Sequence, residues 1–363
     1  MRVVPDTDAT VPDRTPTTAG ARPVVIAHRG ASGNRPEHTL AAYELAARVG
    51  ADYLETDVVP TRDGHLVCRH EPGIGGTTDV AARPEFAGRR TRRTIDGEVH
   101  EGWFTHDFTL AELRTLRAVE RLPGERPGNR VYDARFAVPT LAELLDLRER
   151  LSRELGREIG VYPEIKHSTH HAGIGLPAEP LLVDALDGAG LNRPDAPVYV
   201  QSFEVTNLRW LRGRLRVPLV QLTDVTGGPA DLPDRSWTSI TSPDGLREVA
   251  TYADAVGPAK AQVVPAGPDG ALGPPSSLVA DAHAAGLLVH PYTFRNENAF
   301  LPPALRSGGP ASAWGDVFAE YDAFLDAGVD GLFSDHPDTA LAALSFRRGG
   351  RGSSAPDGPR SAH

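Results

Sequence analysis

The sequence predicts an α/β chain folded as a (β/α)8 TIM barrel, with an insertion subdomain after the second βα region. Two observations carry that expectation. Short apolar runs alternate with amphipathic ones through most of the chain, giving about eight strand-helix units, the pattern of a parallel barrel. Most strand-like runs also end on polar or titratable residues: His28, Glu55/Asp57, His70, Glu164/Lys166, Gln201, Gln221, His290/Tyr292 and Asp335. A barrel gathers such positions around one mouth, where its active sites lie.

The elements follow in order. Val24 to Ala27 is a short apolar strand that delivers His28 and Arg29 and then turns through Gly30. TLAAYELAARVG supplies a helix, and DYLETDVV the next strand. Glu55 and Asp57 stand two apart on it, so they share one face. Two carboxylates so placed repel unless a cation sits between them or one keeps a proton. HLVCRH is a third strand-like run, ending on His70. Residues 71 to about 137, rich in Arg, Gly, Thr and charge, then break the alternation and read as an insertion. TLAELLDLRERLSREL is a strongly periodic helix leading into EIGVYPEIKH. PAEPLLVDALDGAG precedes PVYVQSF, and VTNLRWLRGRL precedes VPLVQLT. GLREVATYADAVG, SSLVADAHAAG with LLVHPYTF, and VFAEYDAFLDAG with VDGLFSD complete the count. The resulting layout is an arm over 1–22, one barrel domain over 23–345 and a tail over 346–363. Arm and tail are low in complexity and expected to be disordered.

Composition narrows the function. A net charge of -10 argues against a nucleic-acid partner, and the basic run Arg89 to Arg93 reads as an exposed loop between turn-forming residues. The single cysteine, Cys68, excludes an intramolecular disulfide framework and leaves the compartment undecided. No apolar run approaches the ~20 residues that span a bilayer. Residues 1–22 show no apolar segment of a signal peptide. Localisation therefore stays unknown: cytoplasmic as the sequence stands, extracellular if a leader was removed. Strings of the GxGxxG kind are absent, so a nucleotide cofactor has no support.

The strand-end residues assemble into one chemistry. Glu55, Asp57 and Glu164 are hard oxygen ligands suited to Ca²⁺ or Mg²⁺. Arg29 and Lys166 suit phosphate oxygens, the first bidentately. His28 and His70 can exchange protons with a nucleophile and a leaving group near neutral pH. Taken singly, a strand-end Gln is more often a satisfied core group, and Glu164 with Lys166 is as readily an internal ion pair. Repetition on nearly every strand tells against a wholly structural reading.

HRGASGNRPEHT at 28–39, GADYLETDVVPTRDGHLVCRHEP at 50–72, YPEIKH at 162–167, VYVQSF at 198–203, LVQL at 219–222, LVHPYT at 288–293 and GLFSDHPD at 331–338 stand in one order. In these motifs the chain resembles the glycerophosphodiester phosphodiesterase family, in particular its exported bacterial branch. The resemblance spans roughly residues 24–342. It implies hydrolysis of a small-molecule glycerophosphodiester to sn-glycerol 3-phosphate and an alcohol. It makes His28 and His70 the acid-base pair, and Glu55, Asp57 and Glu164 the ligands of a divalent cation, Ca²⁺ before Mg²⁺. Arg29 and Lys166 match phosphate-contacting positions, Glu37 an acidic residue supporting His28 and Arg29, and Gln201 and Phe203 positions beside metal and glycerol. It further implies attack on phosphorus by the glycerol 2-hydroxyl, with a cyclic phosphate then opened by water. Departures are Glu71 where Asp is common, Arg69 where an aliphatic residue is common, and Tyr292 where other branches carry Trp.

Remaining motifs are weaker. His167, His170 and His171 in HSTHH invite a zinc reading, outweighed by a loop at the mouth. His38 reads as a packing or supporting residue. Trp103, Phe104, His106 and Phe108 read as core of the insertion before a lid. Two other functions compete: a phospholipase D-like or lysophospholipid phosphodiesterase on the same barrel, and a catalytically silent glycerol-phosphate-binding protein. The first would need an apolar groove at the mouth, and no run in the insertion has a large apolar face. The second would be signalled by loss of His28 or His70, and both are present. The oligomeric state is not legible.

Overall fold

The computed structural model describes residues 22–351, with side chains through residue 347. Its strands are β1 (Val24–Ala27), β2 (Tyr53–Pro60), β3 (Leu66–Cys68), β4 (Thr91–Ile95), β5 (Glu98–Gly102), β6 (Gly160–Ile165), β7 (Val200–Ser202), β8 (Leu219–Thr223), β9 (Ala255–Pro258), β10 (Leu288–Val289) and β11 (Gly331–Ser334). Eight of them pair in parallel in the order β10-β9-β8-β7-β6-β2-β1-β11. Phe294 N donates to Phe333 O at 2.8 Å and Asp335 N to Phe294 O at 3.1 Å, which nearly closes the ring between β10 and β11. Helices fill the connections, so the predicted (β/α)8 barrel is the fold.

Alternation along the strands explains what fills the barrel and what stands above. Ile26, Tyr162, Val220, Ala255, Leu288 and Phe333, one from each of six strands, form a buried cluster with Tyr53 and Tyr199 packed against it. Tyr162 stacks on Tyr199 at 5.0 Å and meets Phe333 edge-on at 5.0 Å. Two residues further along, on the same face of each strand, come His28, Glu55, Glu164, Gln201, His290 and Asp335. An aromatic plug thus forms the floor on which the polar layer rests. The opposite faces pack against the surrounding helices in the larger apolar core.

Local signals set the helices. Thr140 and Glu143 form a reciprocal capping box for Leu141–Leu155, and Gly156 ends it in the left-handed region at φ 62°. Leu141, Leu144, Leu145, Leu147 and Leu151 make its buried stripe. Truncating one such leucine, Leu144 for instance, would cost about 2–5 kcal/mol.

Three sequence expectations change here. HLVCRH is not a barrel strand: β3 folds back antiparallel on β2, with Cys68 opposite Val58, and so carries His70 to the mouth as part of a hairpin. Thr91 to Arg93 lie in β4 of a hairpin rather than in a loop, although Arg92 and Arg93 are exposed. Asp96 and Gly97 turn that hairpin with φ of 49° and 87°, the Asp-Gly pair suited to such a turn. The last helix, Pro337–Arg351, runs past the expected boundary at 345, with Arg347 paired to Asp322 and Asp326. The rest of the expected tail, and the arm before Arg22, lie outside the described residues. Between β3 and Thr140, the inserted residues Ile74, Val80, Phe86, Phe108, Leu113 and Leu116 gather over Val59 and Val67 of the hairpin. No helix among the described residues is long and apolar enough to cross a membrane.

Candidate active site

Register places the first histidine between two carboxylates. Ala27 pairs with Ser334 on one side and Leu54 on the other, so the next residue, His28, lies between Glu55 and Asp335. His28 Nδ1 is 2.5 Å from Asp335 Oδ1, and its Nε2 lies 3.2 Å from Arg29 Nε. The guanidinium can only donate, so Nε2 accepts and Nδ1 carries the hydrogen. Burial, then the Arg29 charge, lowers the His28 pKa to about 4, against the pull of Asp335. Asp335 is itself held well below the usual carboxylate range despite its burial, by Arg295, Arg126 and His28.

Arg29 adopts φ 58°, a left-handed conformation for a side chain that ordinarily avoids it. Its N–H thereby reaches Glu55 Oε2 at 2.6 Å while its guanidinium donates to Glu37 Oε2 at 3.0 Å. The turn continues into Gly30 at φ 82°, where a Cβ would come within 2.7 Å of the Ala42 backbone. Glu37 also accepts from Arg121 of the inserted segment, at 2.7 Å for each of two contacts.

The carboxylates meet as the sequence predicts. Asp57 pairs in register with Glu164, and Glu164 with Gln201. Glu55, Asp57 and Glu164 are buried, with ligand oxygens within 4.8 Å of one another. Lys166 Nζ stands 2.6 Å from Glu164 and 3.3 Å from Asp57. Gln201 Nε2 donates to Glu55 at 3.3 Å, while its Oε1 is buried without a partner. Burial and the neighbouring Asp57 and Glu164 push Glu55 well above the carboxylate range. Burial likewise raises Glu164 to about 8, with Lys166 opposing. Asp57 stays low despite burial because Lys166, His70 and His38 face it. An all-oxygen cluster whose members resist ionising together, beside an orphaned amide oxygen, fits a hard divalent cation.

His70, about a third exposed, has Nδ1 2.6 Å from Glu71 Oε2. Burial, then Arg29 and Lys166, lowers its pKa to about 3. Glu71, where the resemblance expects Asp, therefore orients this histidine as Asp335 orients the other. Lys166 Nζ also sits 5.5 Å over the Phe203 ring. His28, Arg29, Glu55, His70, Glu164, Lys166, Gln201 and Phe203 all line one cavity of about 820 Å³, with Tyr292 and Trp237 on its wall. Asp57 and Glu37 stand behind that lining. His38 is a supporting residue, its Nε2 2.8 Å from Asp57. Gln221 is a satisfied core group, bonded to Phe203 O and to Tyr252. Arg69 is buried, donating to Glu37 O at 3.2 Å. Sequence reasoning left Asp335 unassigned and missed Arg121 and Arg126. Asp335 was visible as a strand-end acid, but nothing in the chain links it to His28.

A model of the glycerophosphoryl diester phosphodiesterase family matches residues 28–339. The chain belongs to that family. A glycerophosphodiester phosphodiesterase of Arabidopsis thaliana is 35% identical over 328 residues, covering 87% of this chain and 84% of the relative. One from Haemophilus influenzae is 30% identical over 350 residues, covering 88% and 89%. Among solved structures, a putative glycerophosphoryl diester phosphodiesterase from Silicibacter pomeroyi superposes with a TM-score of 0.64 at 22% identity, over 90% of this chain and 94% of its own. An Oleispira antarctica phosphodiesterase, solved with the product sn-glycerol-3-phosphate, gives 0.57 at 20% identity, over 89% and 97%. These structures share the barrel. As a glycerophosphodiester phosphodiesterase by family, the chain is a hydrolase with glycerophosphodiester phosphodiesterase activity.

Proposed function

We propose that this hydrolase cleaves small glycerophosphodiesters, such as glycerophosphocholine or glycerophosphoethanolamine, to sn-glycerol 3-phosphate and an alcohol with His28 and His70 as the acid-base pair. One observation carries the reading: two carboxylate-oriented histidines, two cationic side chains and the carboxylates Glu55 and Glu164 line a single cavity, with Asp57, the third member of the acidic cluster, behind them. The product bound to the Oleispira antarctica relative supports the same substrate class. Arg29 and Lys166 take the phosphate oxygens, and Phe203 flanks the glycerol. Glu37, itself held by Arg121, fixes the Arg29 guanidinium.

The substrate's own 2-hydroxyl is the nucleophile. One histidine removes its proton as oxygen bonds to phosphorus; the other, entering the step as an imidazolium once the anionic phosphodiester lies beside it, protonates the departing alcohol as its P–O bond breaks. Water then opens the cyclic phosphate with the two histidines in exchanged roles, each returned to its starting state. His28 is ready as a base because its Nε2 lone pair is already exposed to a donor and Nδ1–H is held by Asp335. A cation held by Glu55, Asp57 and Glu164, Ca²⁺ in preference to Mg²⁺, would neutralise the phosphodiester and stabilise charge gained in the transition state.

Glycerophosphocholine turnover, followed as glycerol 3-phosphate by a coupled enzyme, tests the reading. Chelator should abolish activity and Ca²⁺ restore it. Full activity in excess chelator would remove the cation from the account, and no product with any cation would remove the substrate class.

A further inference from the structure

A second cluster of titratable groups lies behind the wall of the cavity, and the proposed reaction leaves it unused. His106 sits in the short turn Thr105–Asp107 of the inserted segment, and His170 and His171 in the helix Ser168–Gly173 that follows β6. Ligand nitrogens of the three lie within 4.8 Å of one another. The ring centroids lie 5.4 Å apart for His106 and His170, 5.9 Å for His106 and His171 and 5.3 Å for His170 and His171, in tilted or edge-on arrangements.

The polar accounting is incomplete there. Both nitrogens of His106, Nε2 of His170 and Nε2 of His171 are buried with no hydrogen-bond partner among the described residues. His106 is 7% exposed and His171 0%, so water does not readily stand in for the missing partner. Buried nitrogens of this kind are ordinarily satisfied. His171 Nδ1 meets the Lys166 carbonyl at 3.1 Å. A carbonyl only accepts, so Nδ1 carries the hydrogen and Nε2 turns a lone pair toward the other rings. A backbone carbonyl fixing the far nitrogen is how metal-bound histidines are commonly oriented. Phe104 stacks on His106 at 5.7 Å and holds that ring in place.

We infer that His106, His170 and His171 form a second cation site, selective for a nitrogen-seeking transition metal of the Zn²⁺ class, that ties the inserted segment to the loop after β6. The donor set separates it from the acidic cluster: imidazole suits Zn²⁺, whereas Ca²⁺ and Mg²⁺ take oxygen. Ligands at ~2.0–2.1 Å from Zn²⁺ would draw together from their present spacing by side-chain rotation. The neighbouring Asp96–His167 contact, at 2.6 Å, joins the same two segments and lines the cavity, so the ion would brace one wall of the proposed active site.

The test uses the full chain, stripped with chelator and then incubated with Zn²⁺ in the presence of excess Ca²⁺ to fill the acidic cluster. Metal retained after gel filtration is counted by mass spectrometry, and X-ray absorption reports its ligands. The expected result is about one Zn²⁺ per chain, with imidazole nitrogen at ~2.0–2.1 Å. His106→Gln and His171→Ala should each weaken Zn²⁺ binding ~100-fold or more, beyond the 10–100-fold typical of losing an outer-shell partner. Glu164→Gln should leave Zn²⁺ binding unchanged. Failure of the wild-type chain to retain Zn²⁺, an oxygen-dominated shell, or equal retention by the histidine variants would overturn the inference. Should a variant not fold, the wild-type absorption spectrum decides alone.

Discussion

His28 and Asp335, 307 residues apart in the chain, meet with Nδ1 and Oδ1 at 2.5 Å because β1 and β11 are neighbours in the barrel. The contact sets the His28 tautomer, leaving the lone pair on Nε2. Asp335 in turn is steadied by Arg126 at 2.5 Å and Arg295 at 2.8 Å. Two arginines, one from the inserted segment, thus act on the proposed base through one carboxylate.

Asp335→Asn should therefore lower kcat by about 10²–10⁴ with a smaller change in KM, as loss of an orienting carboxylate does elsewhere. A purely structural role would leave the pH profile in place. Here the acid limb of kcat/KM should move to lower pH, because Asp335 raises the His28 pKa. An unchanged profile with unchanged kcat would contradict the assignment.

Both histidines should be indispensable. His28→Ala or His70→Ala should reduce turnover by about 10²–10⁴, or ~3–5 kcal/mol of barrier. Glycerol 3-phosphate should still bind, since in the proposed reading Arg29, Lys166 and the cation would supply most of that attraction. The check is steady-state turnover beside calorimetric titration of the product. Either variant keeping more than about a tenth of wild-type turnover would transfer the acid-base role to another group.

His290 gives a stability prediction away from the reaction. It is buried on the aromatic floor, with Nδ1 3.0 Å from the Tyr162 hydroxyl. Burial lowers its pKa from 6.5 to about 4. The unfolded chain binds this proton below pH 6.5 and the folded chain does not, so stability is fully present above 6.5. It is lost as pH falls from 6.5 toward 4, by up to about 3 kcal/mol from this one group. Urea midpoints at pH 7.5 and 5 should separate more for the wild type than for His290→Phe. Equal separation would show that His290 is not the titrating group.

Much of this was legible in the chain because barrel strands obey a period of two. Glu55 and Asp57, two apart, share one face from spacing alone, and polar strand ends predict a polar layer at the mouth. The acidic cluster was legible for the same reason. What escaped depends on contacts between distant segments. Arg121 and Arg126 lie in an irregular insertion with no periodicity, yet reach Glu37 and Asp335. HLVCRH has strand-like composition, and only its pairing to β2 shows that it is a hairpin arm. His170 and His171 stand together in HSTHH, but their third partner, His106, comes from a different part of the chain. The disagreement over Arg89 to Arg93 has a local cause: a short exposed edge strand rich in arginine lacks the apolar face by which strands are read.

In the proposed mechanism the substrate supplies its own nucleophile, positioned by the cations and deprotonated by one histidine. An attached, oriented hydroxyl has a large advantage in effective concentration over water. The direct measurement is kcat/KM for glycerophosphocholine against its 2-deoxy analogue under saturating Ca²⁺. The expected result is a loss of at least about 10³-fold for the analogue, a small part of the advantage available to an intramolecular nucleophile. Comparable efficiency on the two would mean direct attack by water, and the 2-hydroxyl mechanism would fall even though the family membership stood.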